Sequence, residues 1–263
     1  MKWSAALAAC FVCLNIAVAQ PAARDPRALA AFGPHPGDAL PASLAFRDET
    51  GARIEFGDYY GSSPIVLVFA WYGCTTLCPT IVETVARTLE RTGATPGLGY
   101  QVVVASIDPL DSPNAAMTMK RDHLDVLTTP EHVRAWHLLT GSERSIAALA
   151  HAAGFRYGYD ANTHQYAHPT GLVLVTPQGA IARYFPGLDF NAARLRVALR
   201  DAAARRIAAP ADFVQLLCFH VAAAGRYTAE ILQALRFVTI GALAAALAVV
   251  FRTRRRGCAA KRG

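Results

Sequence analysis

The chain has 263 residues, 53% of them hydrophobic and 17% charged, with a formal net charge of +7; that is enough length for one sizeable domain with additional segments. Setting aside Lys2 and the six basic residues of 252–263 leaves basic and acidic residues balanced, so the charge is a topology signal and lends no support to nucleic-acid binding. One close pair of cysteines outside the two ends excludes a small disulfide-scaffolded fold.

Residues 1–19 read as a secretory signal peptide. Lys2 supplies the positive start, an apolar run follows, and Ala17-Val18-Ala19 forms a small-residue cleavage site before Gln20. Leu7-Ala8-Ala9-Cys10 resembles a lipoprotein box, but almost no apolar run precedes it. Residues 20–41 are rich in Ala and Pro and read as a linker. Residues 42–48 and 53–56 read as short strands around the Glu49-Thr50-Gly51 turn. The continuously apolar run 65–71 predicts a central strand covered on both faces. Helical spacing of Ile81, Val85 and Leu89 predicts a helix over 80–92, ended by Gly93.

A second buried strand is predicted at 100–107, then a turn-rich loop, Asp108-Pro109-Leu110-Asp111-Ser112-Pro113. A helix over 114–124, a short strand over 136–140 and a helix over 142–153 follow. Ser142 caps the last of these and Gly154 stops it. A hairpin, 171–176 with 180–185, turns at Pro177-Gln178-Gly179, and an amphipathic helix covers 191–206. Strand and helix alternate, then a hairpin and helix close the order. That predicts an α/β sandwich of the thioredoxin type over 42–208.

Residues 209–230 then form a juxtamembrane segment ahead of a candidate transmembrane helix at 231–251. A span needs about 20 mostly apolar residues. Gln233 and Arg236 lie near its N-terminal end, where Arg236 could snorkel to the headgroups; a buried amphipathic helix is the alternative. The tail 252–263 carries Arg252, Arg254, Arg255, Arg256, Lys261 and Arg262 and no acid. Positive charge beside a span stays cytoplasmic, which places the chain in a bacterial inner membrane with its main domain in the periplasm.

Of six cysteines, Cys10 and Cys13 leave with the signal peptide and Cys258 belongs to the tail. Cys218 precedes the span and, with His220, is either a membrane-surface metal pair or a plain thiol. Cys74 and Cys78 remain. Four residues apart, they share one face if the segment turns helical. Near a helix N-terminus the dipole favours thiolate, the form that attacks disulfides and binds metals. Two thiolates suit Cu(I), and an imidazole completes three-coordination or holds Cu(II).

His168, which opens a strand expected beside the cysteine-bearing one, is the natural third ligand. His164 either substitutes for it or is solvated. The His168–Pro169 bond is predicted to be cis, facing the cysteines. The plainer readings are a structural disulfide and a surface histidine. His35, His123, His132, His137 and His151 read as structural or exposed, and Asp108 and Asp111 as caps of a turn and a helix. The pair also suits a thiol–disulfide oxidoreductase with Cys74 and Cys78 as catalytic residues and a thiol reductant as partner. A peroxidase would need a basic partner, and no Arg or Lys closely flanks the motif.

The segment Gly73-Cys74-Thr75-Thr76-Leu77-Cys78-Pro79 resembles the CxxxCP motif of the Sco/SenC family. Ser106-Ile107-Asp108-Pro109 with Asp111-Ser112-Pro113, and Trp136-His137-Leu138-Leu139-Thr140-Gly141, resemble two further segments of that family. His168 ahead of 171–175 falls where its ligand histidine stands. The resemblance covers 42–206. It implies a thioredoxin-like fold, copper held by Cys74, Cys78 and His168, and delivery to the CuA centre of cytochrome c oxidase subunit II during assembly. Two departures stand out. Ala167-His168-Pro169 lacks the acidic neighbour common in the family, a partner for the imidazole, and the anchor is C-terminal where most members carry it at the N-terminus.

Overall fold

The computed structural model describes residues 30–61, 63–75, 77–208, 236–241 and 244. The chain divides into two units, Met1–Phe213 and Val214–Gly263. The first begins with β1 (Ala31–Phe32), β2 (Ala45–Arg47) and β3 (Arg53–Glu55), then a single 3-10 turn, Phe56–Tyr59. The central βαβ follows: β4 (Ile65–Ala70), α1 (Leu77–Thr92) and β5 (Gln101–Ser106). Next come α2 (Pro113–His123), α3 (Pro130–Arg134), β6 (Trp136–Gly141) and α4 (Glu143–Ala152). The unit ends with β7 (Phe155–Arg156), β8 (Gly158–Asp160), β9 (Gln165–Ala167), β10 (Gly171–Val175), β11 (Ile181–Pro186) and α5 (Ala192–Ala203).

Seven strands form one sheet in the order β11-β10-β4-β5-β6-β2-β3. The β4–β5 and β5–β6 pairs are parallel, and β10 runs antiparallel beside β4 with Leu172 opposite Val68 and Val175 opposite Ile65. β4 is buried along its whole length, as its unbroken apolar sequence requires of a strand with both faces covered. On one face Val66, Val68, Val102, Val104, Leu172 and Leu174 pack against α1 and α5, which contribute Ile81, Val85, Leu89, Leu195 and Leu199. Those strand positions alternate, so Leu67, Val103 and Val173 face the other side of the sheet and are fully buried there.

Helix ends follow their sequence signals. Ser112, Thr129, Ser142 and Asn191 each accept a first-turn backbone N–H. Glu49, buried, accepts from the Leu138 backbone N–H (3.0 Å) and from Lys120 Nζ, which ties the β2–β3 turn to β6.

The linker reading fails for the part of 20–41 that is described. Ala31–Phe32 pairs antiparallel with β7, and Phe32 and Leu40 are buried. Two apolar residues in an Ala/Pro-rich stretch suffice because β7 and Tyr184 supply their partners from far along the chain. The β8–β9 hairpin is a further element that the sequence pattern does not predict. The predicted signal peptide, Cys10, Cys13, Cys218, His220, Cys258 and most of the candidate span lie outside the described residues. Within the second unit 236–241 is helical, with Phe237, Val238 and Ile240 exposed. Among the described residues no helix is long and apolar enough to cross a membrane.

Candidate metal and thiol site

The carboxyl end of β4 delivers the chain into a tight turn, 71–74, closed by Cys74 N–H to the Trp71 carbonyl at 3.1 Å. The chain then enters α1, whose second residue is Cys78. Cys74 lies in the turn before α1, so the pair does not share a helix face as the spacing predicts, yet the two sulfurs are in hydrogen-bond contact and are not joined as a disulfide. They are not equivalent. Cys74 is half-buried, whereas Cys78 is fully buried in the core beneath α1 and accepts the Trp71 backbone N–H at 3.4 Å.

Burial pushes the Cys78 thiol up to about 12, against the Trp71 N–H that favours the thiolate; Cys74 and Asp111 add to the rise. The dipole expectation is corrected for this residue. A terminal partial charge of the helix is worth about 1 kcal/mol, less than the cost of burying an anion among apolar side chains.

Asp111 holds the turn from outside. Its Oδ2 accepts the Tyr72 backbone N–H at 2.9 Å and the Ser106 hydroxyl at 2.6 Å. Burial raises its carboxyl, and those two bonds oppose the rise. Asp108 caps its own turn by accepting the Leu110 N–H at 2.9 Å and is hydrogen-bonded to Tyr166. Tyr166 meets Trp71 edge-on with centroids 5.7 Å apart. The Asp-Pro-Leu-Asp-Ser-Pro loop therefore braces the cysteine turn, a role invisible in its local turn signals because Tyr72 lies 39 residues upstream.

His168 stands on the wall of a cleft of about 310 Å³ lined also by Leu77, Tyr166, Ala167, Asp160 and Thr163. Leu77 immediately precedes Cys78, so the cysteine helix and the imidazole border one cleft. His168 Nδ1 lies 2.9 Å from the Pro169 carbonyl. A carbonyl only accepts, so Nδ1 is the donor in this contact and Nε2 is the ring nitrogen left for a ligand. The backbone supplies the orienting partner that Ala167 does not. The ring lies 6.0 Å from Phe155, which stacks on Phe69 of β4 at 4.3 Å.

No cis peptide occurs among the described residues. The expectation for His168–Pro169 is overturned; trans is the lower-energy X–Pro form by about 0.5–1 kcal/mol. The chain instead turns at Gly171, whose φ of +149° and close approach to the Phe185 carbonyl exclude any side chain.

Cys74 and Cys78 are thus brought together, and His168 lines a cleft that α1 reaches through Leu77, the neighbour of Cys78, rather than through either thiol. Among the described residues no cluster of three or more His, Cys, Asp or Glu side chains is arranged to hold a metal. His164, exposed at the tip of the β8–β9 hairpin, contacts Tyr159 Oη at 3.0 Å. His123 pairs with Glu83 and His132 with Thr129. His137 packs on Tyr59 with centroids 4.7 Å apart.

A comparison with curated protein sequences returned no significant match. Solved structures do match. A SCO1/SenC family lipoprotein from Bacillus anthracis is 22% identical over 64% of this chain and 97% of its own, with a TM-score of 0.54. BsSco, a member of the Sco family of cytochrome c oxidase assembly proteins, is 18% identical over 65% and 97%, TM-score 0.53. Arabidopsis thaliana ScoI, solved with copper bound, is 16% identical over 64% and 98%, TM-score 0.51. These likenesses establish a shared thioredoxin-like fold. The family model SCO1/SenC matches residues 35–204, well over half of the chain, and the chain belongs to the SCO1/SenC family.

Proposed function

We propose that this chain is a membrane-tethered copper chaperone of the periplasm that delivers copper to the CuA centre of cytochrome c oxidase subunit II during assembly. The observation that carries the reading is a pair of contacting thiols at the start of α1, whose first residue, Leu77, lines the same cleft as His168. Two soft sulfur donors and one imidazole nitrogen fit Cu(I) by donor chemistry, and the imidazole suits Cu(II) as well. Arabidopsis thaliana ScoI, crystallised with copper bound, and BsSco, from a family of oxidase assembly proteins, support the same reading.

Copper is cargo here. Cys74 is the more accessible sulfur and exchanges first with an incoming thiol; Cys78, braced under the Trp71 N–H, holds the ion until the exchange is complete. His168 gives way as the acceptor's ligands arrive. The ion changes ligands without changing oxidation state.

The asymmetry of the thiols favours one second reading, reduction of a disulfide in the oxidase subunit or another exported protein. Cys74 as thiolate attacks one target sulfur, forming a mixed disulfide and releasing a target thiolate. Cys78 then loses its proton and attacks the Cys74 sulfur, freeing the second target thiolate. The pair ends oxidised and the target reduced, and an exported dithiol reductant restores it.

The test loads the reduced full chain with Cu(I) and mixes it with the metal-free CuA domain, either reduced or as its disulfide. The chaperone reading predicts copper transfer to the reduced domain, lost in His168→Ala. Disulfide reduction that proceeds equally in His168→Ala, with no copper transfer, would select the oxidoreductase.

A further inference from the structure

The exposed side of α5 is unusually one-sided in charge. Arg194, Arg196 and Arg200 project from it, and Arg205 and Arg206 continue past its end, all exposed. Between them stand Ala193, Ala203 and Ala204 with Val197 (56% exposed) and Ile207 (39% exposed). The one acid within this stretch, Asp201, is held by Arg206 at 2.6 Å. The end of α1 extends the face: Arg196 donates to the Arg91 carbonyl at 3.3 Å, and Arg87 and Arg91 are exposed. The nearby Glu90 is engaged by Thr128 and Glu83 by His123. An ordinary solvated face interleaves both signs. Arginine alternating with exposed small and apolar residues is the pattern of a surface that lies against lipid headgroups.

The topology places the carboxyl ends of α5 and α1, and the arginines on them, away from the thiols. β10 sets Val175 opposite both Ile65 and Ile181, so the amino end of β4 and the start of β11 lie at one pole. Ala208 N–H bonds to the Ala182 carbonyl at 2.9 Å at that pole. Cys74 and Cys78 follow the opposite end of β4. Arg91 lies about 20 Å from Cys78 along the axis of α1 at 1.5 Å per residue.

We propose that the α5–α1 arginine face docks on an anionic phospholipid bilayer and holds the Cys74–Cys78 turn away from it, toward the exposed domain of a membrane-bound partner. The proposal rests on the membrane-tethered reading above. Headgroup phosphates meet guanidinium groups in bidentate fashion, Val197 and Ile207 enter the interfacial layer, and docking fixes the height at which the thiols are presented.

The test places the full chain in nanodiscs of phosphatidylcholine alone, or of equal parts phosphatidylcholine and phosphatidylglycerol, and follows hydrogen exchange in Ala192–Ala203. The expected result is at least several-fold slower exchange in the anionic discs, abolished by Arg194→Gln/Arg196→Gln/Arg200→Gln and by high salt. Neutralising three arginines should weaken docking about a hundredfold, at about fivefold each. Equal exchange in both lipids overturns the proposal. So does protection that appears only on adding an acidic soluble protein. If the chain fails to enter nanodiscs, the tether reading fails separately; docking then stands or falls on flotation of the chain with phosphatidylglycerol vesicles and its loss in the triple variant.

Discussion

The Asp111 carboxylate satisfies the Tyr72 N–H and the Ser106 hydroxyl together, and Tyr72 sits between the end of β4 and Cys74. Asp111→Ala leaves that backbone donor without its partner. Chemical denaturation should show a loss of about 1–3 kcal/mol, with weaker Cu(I) binding because the turn that sets Cys74 loosens. Asp111→Asn retains an acceptor toward Tyr72 and should recover most of both losses. His137 offers a separate test by pH. Burial, aided by Lys120 and opposed by Glu49 and Asp48, lowers its value below the ordinary 6.5. The fold therefore holds it neutral, and its contribution is present above about 6.5 and lost as pH falls through the lower folded value. Stability measured between pH 7 and pH 5 should decline less steeply in His137→Gln than in the wild type. The cysteine spacing and His168 were legible in sequence because each rests on local pattern. The high Cys78 value and the role of Asp111 were not, since both depend on what tertiary packing sets around them.

At the scale of elements, the amino-terminal strap supports the imidazole at one remove. Phe32 of β1 packs edge-on against Phe155 (5.6 Å) and Tyr184 (5.7 Å), and Phe155 lies beside His168. The strap closes through Gly33 N–H to the Gly154 carbonyl at 2.6 Å. Gly154 has φ +62°, and a Cβ there would stand 1.9 Å from the Gly33 carbonyl oxygen. Gly154→Ala should therefore unseat β1, seen as faster proteolysis near Ala31. Phe32→Ala should cost about 3–5 kcal/mol and reduce copper affinity by freeing the Phe155–His168 wall. The strands β4, β5, β10 and β11 could be read from sequence because buried strands spell themselves in apolar runs. β1 and the β8–β9 hairpin could not. They are two or three residues long, and their partners, not their own patterns, make them strands.

For the whole molecule, the thiol turn lies at one pole of the first unit, and the proposed membrane tether carries its own test by fractionation. Alkaline carbonate should leave the full chain in the membrane pellet, and ending the chain after Ala208 should release the domain. Full release of the intact chain would remove the tether from the account. The measurement that bears most directly on the central claim titrates the reduced chain with Cu(I) against a competing chelator, wild type beside His168→Ala and Cys74→Ala/Cys78→Ala. The account predicts one tightly held copper, lost with the cysteines and strongly weakened without the imidazole. Copper binding unchanged in His168→Ala would contradict the three-ligand site and leave a bare dithiol.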